Sequence, residues 1–468
     1  MKRYWTIGII LASNAIALLA GVPHISLSQL QQEGWEKYKG QTVCVTTPLV
    51  VCGTMYDSLI LSEERLFVPE EHAKGLSDGD SSEYYRLKAY NQAHRIKLEC
   101  KYPYSLNLGA TVKGLKARVM GERHLQTGAQ PRFKNYRPSK QIPRREKGCL
   151  RICAANVQNY FVHVGGYATK RNTIGQHALQ CYKVASAMVK IDADLYALCE
   201  LEQGDEAPQE LVMAMNQLCH QEGRYAYVVT DTCDRDTISV GFIYRPDRLH
   251  PVGALRMAYA ATDTLHAVYA HRFMLQGWEE QTTGERFMLS LNHPRSKRGD
   301  PVMANEKRMN NIRAILALLD DYQQHPLIAH AQTTAPEMDI LLLGDYNAYA
   351  EEQPLQTLVR AGYQDMLVGM NDYSYSYKGE CGFLDRCYAS PSMARQITKI
   401  MPLHWNTDYY YSAAYYSKYN YKNNCIPKDK PKNVRRVMSR AAKKNRLFRY
   451  SDHDPLIVEV KIIDELIN

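Results

Sequence analysis

The sequence lacks the patterns that identify several classes of protein. Its 12 cysteines and 15 histidines include no Cys-x-x-Cys and no His-x-x-x-His pair, so no zinc site of familiar spacing is indicated. Beyond the N-terminal region, no segment is long and apolar enough to cross a bilayer. No internal repeat is present, which argues against a repeat architecture.

The sequence does contain many apolar residues and an excess of positive charge. With 468 residues, of which 45% are apolar, the chain can support a sizeable core and two domains. The net charge of +9 favours polyanionic partners. Basic residues are dense in a predicted insertion, residues 418–449, whose only acid is Asp429. Such a segment is typical of a nucleic-acid contact; a solvated insertion or an anchor to anionic envelope polymers is the alternative.

The N-terminus has the pattern of a secretory signal peptide. A basic start precedes a mainly apolar stretch, residues 5–19, which is short for a membrane span. Residues 1–28 are therefore predicted to be a signal peptide cleaved between Ala20 and Ser28, with a retained anchor as the alternative. This predicts a secreted or periplasmic, cell-envelope protein without a transmembrane span after signal removal. The cysteines would suit disulfides in such a compartment, but their spacing fixes no pairing.

Polar side chains follow an apolar run in the C-terminal half. Residues 340–343 read Ile-Leu-Leu-Leu, the pattern of a buried strand, and Gly344 lets the backbone turn where that strand ends. Asp345 and Asn347 come next, and residues two apart in a strand project from the same face. Both oxygens can then reach one bound ion or water. An ordinary Gly-Asp turn is the alternative.

Other predicted strands also end in polar residues. Asn156 and Glu200 stand where two apolar segments end, and Asn159 is interpreted as a cap of the helix that follows. Near the C-terminus the chain reads Ser-Asp-His-Asp-Pro at 451–455, for which a solvated loop is the alternative. The predicted strands are 150–160, 194–200, 237–246, 287–297 and 382–388, and the predicted helix is 176–190.

In this order, these segments resemble the endonuclease/exonuclease/phosphatase superfamily over residues 148–463. Two motifs are similar to those of its secreted bacterial nucleases, Asn-His-Pro-Arg-Ser-Lys at 292–297 and Gly-Asp-Tyr-Asn-Ala at 344–348. The resemblance implies a four-layered α/β sandwich, in which two packed β-sheets are flanked by helices. It also implies hydrolysis of a phosphoester with a divalent cation. Oxygen ligands favour Mg²⁺, with Mn²⁺ or Ca²⁺ as alternatives.

The resemblance implies a metal site near the ends of the first two strands of this region. Asn156 and Glu200 would hold the cation, and Asp452 would lie close to the ion or its waters. Glu202 is the alternative ligand to Glu200. Glu200 is favoured because the first polar residue that leaves a buried strand is best placed to face the site.

The resemblance also implies the catalytic groups. Asp345 and Asn347 would orient the nucleophilic water and the phosphate. His453 would be held by Asp385 in a histidine–carboxylate pair, which suits proton transfer because the carboxylate fixes the tautomer. His293 would match the second histidine of the deoxyribonucleases.

Substrate contacts are predicted in the segment that contains His293. Asn292, Arg295 and Lys297 are the candidates, and a solvated rim is the alternative for the two basic residues. In the deoxyribonucleases an acid on the preceding strand steadies the histidine that matches His293. The matching place here is apolar, and Asp236 is the nearest candidate for that acid.

The region before the catalytic segment differs in character. Short alternating strands with glycine turns at 29–126 predict a small β domain, similar to an oligonucleotide-binding barrel. Residues 127–147, rich in Pro, Arg and Lys, are the predicted linker, and residues 148–468 the predicted catalytic domain.

The prediction for function is a secreted, Mg²⁺-dependent nuclease that cleaves DNA, with RNA as a further substrate. A phosphodiesterase or phosphatase acting on a lipid or small phosphoester is the first alternative, because one metal site can serve different substrates through different loops. A non-catalytic nucleic-acid-binding surface protein is the second. The sequence does not separate endonuclease from exonuclease action, and it identifies no stable protein partner.

Overall fold

The computed structural model describes residues 21–55, 58–103, 105–163, 174–230, 237–257, 272–325, 329, 338–409 and 446–462. Most of the predicted signal peptide and most of the predicted basic insertion, residues 1–20 and 410–445, lie outside these ranges. Within them, no helix has the length and apolar character that a membrane span requires. Cys153 and Cys199 are free thiols that are buried in strands.

The chain folds as two compact units. The first comprises the described parts of Met1–Leu66, Ala89–Tyr136 and Tyr377–Glu380; the second comprises those of Phe67–Lys88, Arg137–Ser376 and Cys381–Asn468. The predicted domain boundaries at 126 and 148 stay predictions.

The elements before residue 137 are short. They are β1 (His24–Ile25), α1 (Leu27–Glu33), β2 (Thr42–Val45), β3 (Leu49–Met55), β4 (Ser58–Ser62), β5 (Leu66–Phe67), α2 (Pro69–His72), α3 (Ser82–His94), β6 (Ile96–Glu99), β7 (Thr111–Val112), β8 (Leu115–Gly121) and β9 (His124–Gln126). Eight strands form one sheet in the order β1-β2-β8-β9-β6-β4-β3-β7. Alternation on β8, with Leu115, Ala117 and Val119 buried, packs one face onto a core. No pairing joins the two end strands in the described residues, so the predicted closed barrel is not confirmed.

The remaining elements include the longest strands and helices. They are β10 (Leu150–Tyr160), α4 (Ile174–Ile191), β11 (Leu195–Glu202), α5 (Glu206–Cys219), β12 (Ala226–Tyr227), β13 (Ile238–Tyr244), β14 (Leu249–Met257), β15 (Phe273–Glu280), β16 (Arg286–Asn292), α6 (Pro301–Gln324), β17 (Ile340–Asp345), α7 (Gln353–Arg360), β18 (Gln364–Asp365), β19 (Tyr375–Tyr377), β20 (Glu380–Gly382), β21 (Asp385–Ala389), α8 (Pro391–Gln396), β22 (Ile397–Pro402) and β23 (Leu456–Val460). Two six-stranded sheets result, β12-β13-β11-β10-β23-β22 and β14-β15-β16-β17-β21-β18.

The two six-stranded sheets share one apolar core and carry helices on their other faces. On β17, Leu341 and Leu343 pack into the core between the sheets, whereas Ile340 and Leu342 pack against the α6 side. This alternation explains why residues 340–343 of the strand are all apolar. In the same way α4 and α5 cover the outer face of β10 and β11. The architecture is mixed α/β, consistent with the predicted sandwich.

Strand register brings the distant motifs together at one edge. β16 and β17 are parallel with Asn292 opposite Gly344, and β17 and β21 are antiparallel with Asp345 opposite Asp385. Gly344 has φ +137°, and a Cβ there would lie 1.9 Å from the Asn292 carbonyl oxygen. Only glycine allows this close approach of the two strands.

Candidate active site

Three ionisable side chains converge where the two sheets end. Glu200 lies near the end of β11, His293 follows β16, and Asp345 ends β17. The Nε2 atom of His293 lies 3.8 Å from Asp345 Oδ2 and 4.0 Å from Glu200 Oε1. One ligand atom from each residue lies within 4.8 Å of the other two. The predicted metal ligand Glu200 is therefore grouped with two residues that were predicted to be catalytic.

Asn156 joins the two carboxylates of this cluster. Its side-chain amide donates to Glu200 Oε1 and to Asp345 Oδ2, both at 3.0 Å, while its own oxygen accepts from the backbone N–H of Gln158 at 2.8 Å. Asn156 is 1% exposed, so bulk water does not compete for these bonds. Asn156, the predicted cation ligand, thus directs its amide NH2 group and not its oxygen at the site. This group holds one carboxylate of each sheet in place.

Glu200 is oriented by a local irregularity in its strand. It has φ +65°, and the pairing of β11 with β13 shifts register between Cys199 and Leu201. The second oxygen of Glu200 accepts from the backbone N–H of Asn159 at 2.8 Å. Asn159 belongs to β10 and α4 begins at Ile174, so its interpretation as a helix cap is wrong. Burial, followed by the charge of Asp452, raises the pKa of Glu200.

Glu202, the alternative ligand, faces elsewhere. Its Oε2 accepts from the backbone N–H groups of Val162 at 2.6 Å and His163 at 2.9 Å. These bonds hold the segment that follows β10, which leaves Glu200 as the carboxylate of this strand that faces the cluster.

Asp345 and Asn347 form a tight turn at the end of β17. The Asn347 N–H donates to Asp345 Oδ1 at 2.9 Å, and the Asn347 amide donates to the Pro294 carbonyl at 3.2 Å. Asn347 has φ +51°, a conformation that asparagine tolerates better than most residues. Burial is the main cause that raises the pKa of Asp345 to about 7, and the nearby carboxylates of Asp385 and Glu200 add to it.

His453 and Asp385 make the predicted pair. The Nδ1 atom of His453 lies 2.8 Å from Asp385 Oδ2, and its Nε2 lies 3.8 Å from Asp345 Oδ2. Burial opposes the charged ring, but the Asp385 and Asp345 carboxylates outweigh it, so the pKa of His453 stands well above its usual value. The Tyr375 ring packs against the imidazole, with 4.6 Å between the two ring centroids.

Asp385 is itself fixed by Ser374, a residue that sequence reasoning missed. The Ser374 hydroxyl donates to Asp385 Oδ2 at 2.7 Å and accepts from the Asp385 N–H at 3.2 Å. Both residues are buried. Nothing in the sequence marks this serine, because its role follows from where its loop meets β21.

His293 is buried beside the cluster, and its Nδ1 has no hydrogen-bond partner among the described residues. Burial, and then the positive charges of Arg272 and His453, lower the pKa of His293 well below its usual value. A neutral imidazole has one ring nitrogen with a lone pair. If Nδ1 carries the proton, the lone pair is on Nε2, the atom that faces Glu200 and Asp345. Asp236, the candidate partner, lies outside the described residues.

The side chain of Asn292 is hydrogen-bonded within the protein. It is 0% exposed, its amide donates to the Ser290 carbonyl at 3.1 Å and to the Tyr346 hydroxyl at 2.9 Å, and its oxygen accepts from the Ser290 hydroxyl at 3.1 Å. A side chain satisfied in this way has no free group for a substrate. These contacts do not support a substrate contact by Asn292, which stays a prediction.

The other predicted peripheral residues lie closer to solvent. Lys297 is exposed, forms an ion pair with Glu352 and stands over the Tyr349 ring at 4.7 Å. Arg295 is half-buried and its backbone N–H donates to Asn311. Asp452 is half-buried and outside the three-residue cluster, with an electrostatic effect on Glu200. The structure thus gathers Asn156, Glu200, His293, Asp345, Asn347, Asp385 and His453, and leaves the two basic residues at the rim.

Solved structures offer a comparison for this arrangement. No protein-family model and no curated protein matches the chain. The chain is similar in structure to endonuclease/exonuclease/phosphatase proteins. One is that of Bacteroides vulgatus, at 12% identity and a TM-score of 0.42, over 68% of this chain and 100% of that one.

Of two further similar structures, one is named as a phosphatase and the other is a complex with DNA. The mannosyl-6-phosphatase of Bacteroides thetaiotaomicron shares 14% identity at a TM-score of 0.41, over 66% of this chain and 99% of that one. D. rerio TDP2, complexed with a single-strand DNA product, shares 14% identity at a TM-score of 0.38, over 67% of this chain and 99% of that one. The Bacteroides vulgatus protein carries the name of the superfamily that the motifs resemble, and the likeness goes no further than that. At these sequence identities and TM-scores the likeness assigns no activity to this chain. An activity has to rest on the geometry of the site.

The donor set of the cluster fits a divalent cation. Glu200 and Asp345 offer carboxylate oxygens, the ligands that Mg²⁺ and Ca²⁺ prefer, and His293 offers a ring nitrogen, which suits Mn²⁺ and other transition ions. Burial is the main cause that raises the pKa of both carboxylates, and the charge of a neighbouring carboxylate adds to it in each case. A bound cation would offset this cost of burying negative charge.

Proposed function

We propose that the protein is a divalent-metal-dependent phosphoesterase and, more narrowly, a secreted Mg²⁺-dependent nuclease that hydrolyses DNA, with RNA as a further substrate. The observation that carries the proposal is the convergence of Glu200, His293 and Asp345 beside the His453–Asp385 pair, with the Asp345 carboxylate 3.8 Å from the Nε2 atom of each histidine. Hydrolysis of an anionic ester needs neutralised charge, an activated water and a proton for the leaving oxygen, and this site contains a candidate group for each need.

The chain's own residues divide these tasks by their protonation. Asp345, whose pKa stands at about 7, can accept a proton from the attacking water near neutral pH. His453 is kept charged by Asp385, so it can stabilise negative charge on the phosphate or donate a proton. Neutral His293 can bind the phosphate or the cation. A cation held by Glu200, Asp345 and His293 would polarise the phosphoryl oxygens as a Lewis acid.

A nucleic-acid substrate is supported by charge. The net charge is +9, and the basic segment 418–449 immediately precedes Asp452 and His453 in sequence. Basic segments of this kind bind the phosphate backbone and lead it toward a cleft. Secretion is supported by the N-terminal pattern alone.

Purified protein should be incubated with plasmid, linear duplex DNA, RNA, sphingomyelin and a chromogenic phosphomonoester, with Mg²⁺, Mn²⁺ or a chelator. Cleavage of DNA with either ion and its loss with the chelator would support the narrow proposal. Turnover of sphingomyelin or of the monoester alone would favour a lipid or small-molecule phosphoesterase. Binding of DNA without cleavage of any substrate would mean a nucleic-acid-binding protein without catalysis.

A further inference from the structure

The loop that carries His453 is held by segments other than its own strand. β23 begins only at Leu456. Ahead of it, the His453 carbonyl accepts from the Asn406 amide at 2.6 Å, and the Asp454 N–H donates to the Ser374 carbonyl at 2.8 Å. Ser374 also orients Asp385, the partner of His453. The position of the imidazole therefore depends on how residues 403–408 and Ser374 meet this loop.

Asp454 is the buried anchor of this contact. It is 0% exposed, and its Oδ1 accepts from the backbone N–H groups of Asn406 at 2.7 Å and Thr407 at 2.9 Å. Its Oδ2 accepts from His404 Nδ1 at 2.9 Å. A buried carboxylate needs such donors, since a buried acceptor left without one destabilises the folded state.

His404 is fixed at both ring nitrogens. Its Nε2 lies 2.9 Å from Asp372 Oδ1, and its ring stacks on Tyr373 at 4.6 Å. Burial opposes protonation of this ring, but Asp372 and Asp454 outweigh it and raise the pKa of His404 to about 10. Both nitrogens are then donors that point at carboxylates. His404 is thus placed to hold two loops together and not to exchange a proton with a substrate.

We propose that His404 is a positioning residue that, through Asp454, holds the 451–454 loop so that His453 faces Asp385. The inference rests on the proposed function, because His453 matters only if the site is catalytic. Without His404, Asp454 loses the donor to Oδ2, and the loop can shift relative to Ser374 and Asp385. A shift of the imidazole of about 1 Å would lower turnover by about tenfold to a hundredfold.

Two isosteres separate the two hydrogen bonds of His404. An asparagine amide reaches the place of Nδ1 and can still donate to Asp454, whereas a glutamine amide reaches the place of Nε2 and can donate only to Asp372. His404→Asn is expected to keep kcat within about threefold, and His404→Gln and His404→Ala to lower it by at least about tenfold, with KM little changed. His325→Ala, at an exposed histidine that follows α6, is the matched control and should leave kcat unchanged.

A double-mutant cycle tests whether the loss passes through His453. The variant with both His404→Ala and His453→Ala should be no slower than His453→Ala alone, because a misplaced ring cannot matter once it is absent. Losses that multiply, or a His404→Gln enzyme as fast as the wild type, would overturn the inference. Unfolding of each variant is measured alongside; if His404→Ala does not fold, the asparagine and glutamine variants decide the question.

A readout that needs no activity keeps this inference separate from the proposed function. In protein labelled with ¹⁵N-histidine, the Nδ1–H proton of His453, which donates to Asp385, is expected far downfield. The resonance of this proton should shift or broaden in His404→Gln and keep its position in His404→Asn. If the wild type hydrolyses no phosphoester, the proposed function fails, and this resonance still decides whether His404 positions His453. An unmoved resonance in His404→Gln would refute the positioning role.

Discussion

Asp345 is buried among groups that disfavour its ionised form, and this should make the metal-free protein sensitive to pH. Its pKa of about 7 in the folded protein exceeds that of an aspartate in an unfolded chain, about 4. The folded state therefore holds a proton that the unfolded state has lost, and stability falls as the pH rises from about 4 to about 7.

Replacement of Asp345 by asparagine removes this ionisation. We expect Asp345→Asn to be more stable than the wild type at pH 8 in chelator, by about 1 kcal/mol or more, with a smaller difference at pH 5. Urea unfolding of both proteins at the two pH values measures it. A difference that is the same at pH 5 and pH 8 would contradict the raised pKa.

The same residue and His453 should dominate turnover. Asp345→Asn and His453→Ala are each expected to lower kcat by at least about a hundredfold, the scale of one general acid or base. Asp247→Asn, at an aspartate whose side chain is 60% exposed, is the control and should be as active as the wild type. Near-normal kcat in both site variants, measured on the substrate that the wild type turns over fastest, would refute their roles.

At the scale of elements, the contact between β16 and β17 depends on Gly344. An alanine there would place its Cβ 1.9 Å from the Asn292 carbonyl oxygen, at φ +137°. Gly362 has φ +97°, and a Cβ added to it would meet no atom within 4 Å. It carries the same kind of backbone restriction without the clash and is therefore the matched control.

We expect Gly362→Ala to lower the free energy of unfolding by about 1–2 kcal/mol. Gly344→Ala should cost at least about 2 kcal/mol more, and it should also lower kcat because Asp345 is the next residue. Urea unfolding and turnover measure both effects. Equal costs at the two glycines would mean that β16 can move away from β17 without loss.

Prediction from sequence succeeded where an element is determined locally. The apolar run before Gly344 identifies β17, and Asp345, the polar residue that ends this strand, lies in the candidate metal cluster. It failed where a side chain's direction depends on distant partners. The amide of Asn156 points at carboxylates of both sheets, and the backbone of Asn159 holds Glu200 because of a register shift between β10 and β11. No local pattern encodes either contact.

At the scale of the whole molecule, the candidate metal cluster joins the two six-stranded sheets of the second unit. Glu200 belongs to β11 of one sheet, and Asp345 belongs to β17 of the other. A cation bound by both would hold the sheets together and relieve the repulsion between their buried carboxylates. Because the unfolded chain has no such site, binding should stabilise the folded protein as a unit.

We therefore expect Mg²⁺ or Mn²⁺ to raise the free energy of unfolding by about 2.7 kcal/mol at a concentration about one hundred times the Kd. Glu200→Ala should abolish the effect of both ions, while Glu206→Gln, at a glutamate whose side chain is 65% exposed, should keep it. His293→Ala should weaken the effect of Mn²⁺ more than that of Mg²⁺, because a ring nitrogen is the better ligand for a transition ion. Thermal unfolding with each ion and with chelator measures these shifts. A Glu200→Ala protein that both ions stabilise as strongly as the wild type would place the cation elsewhere in the molecule.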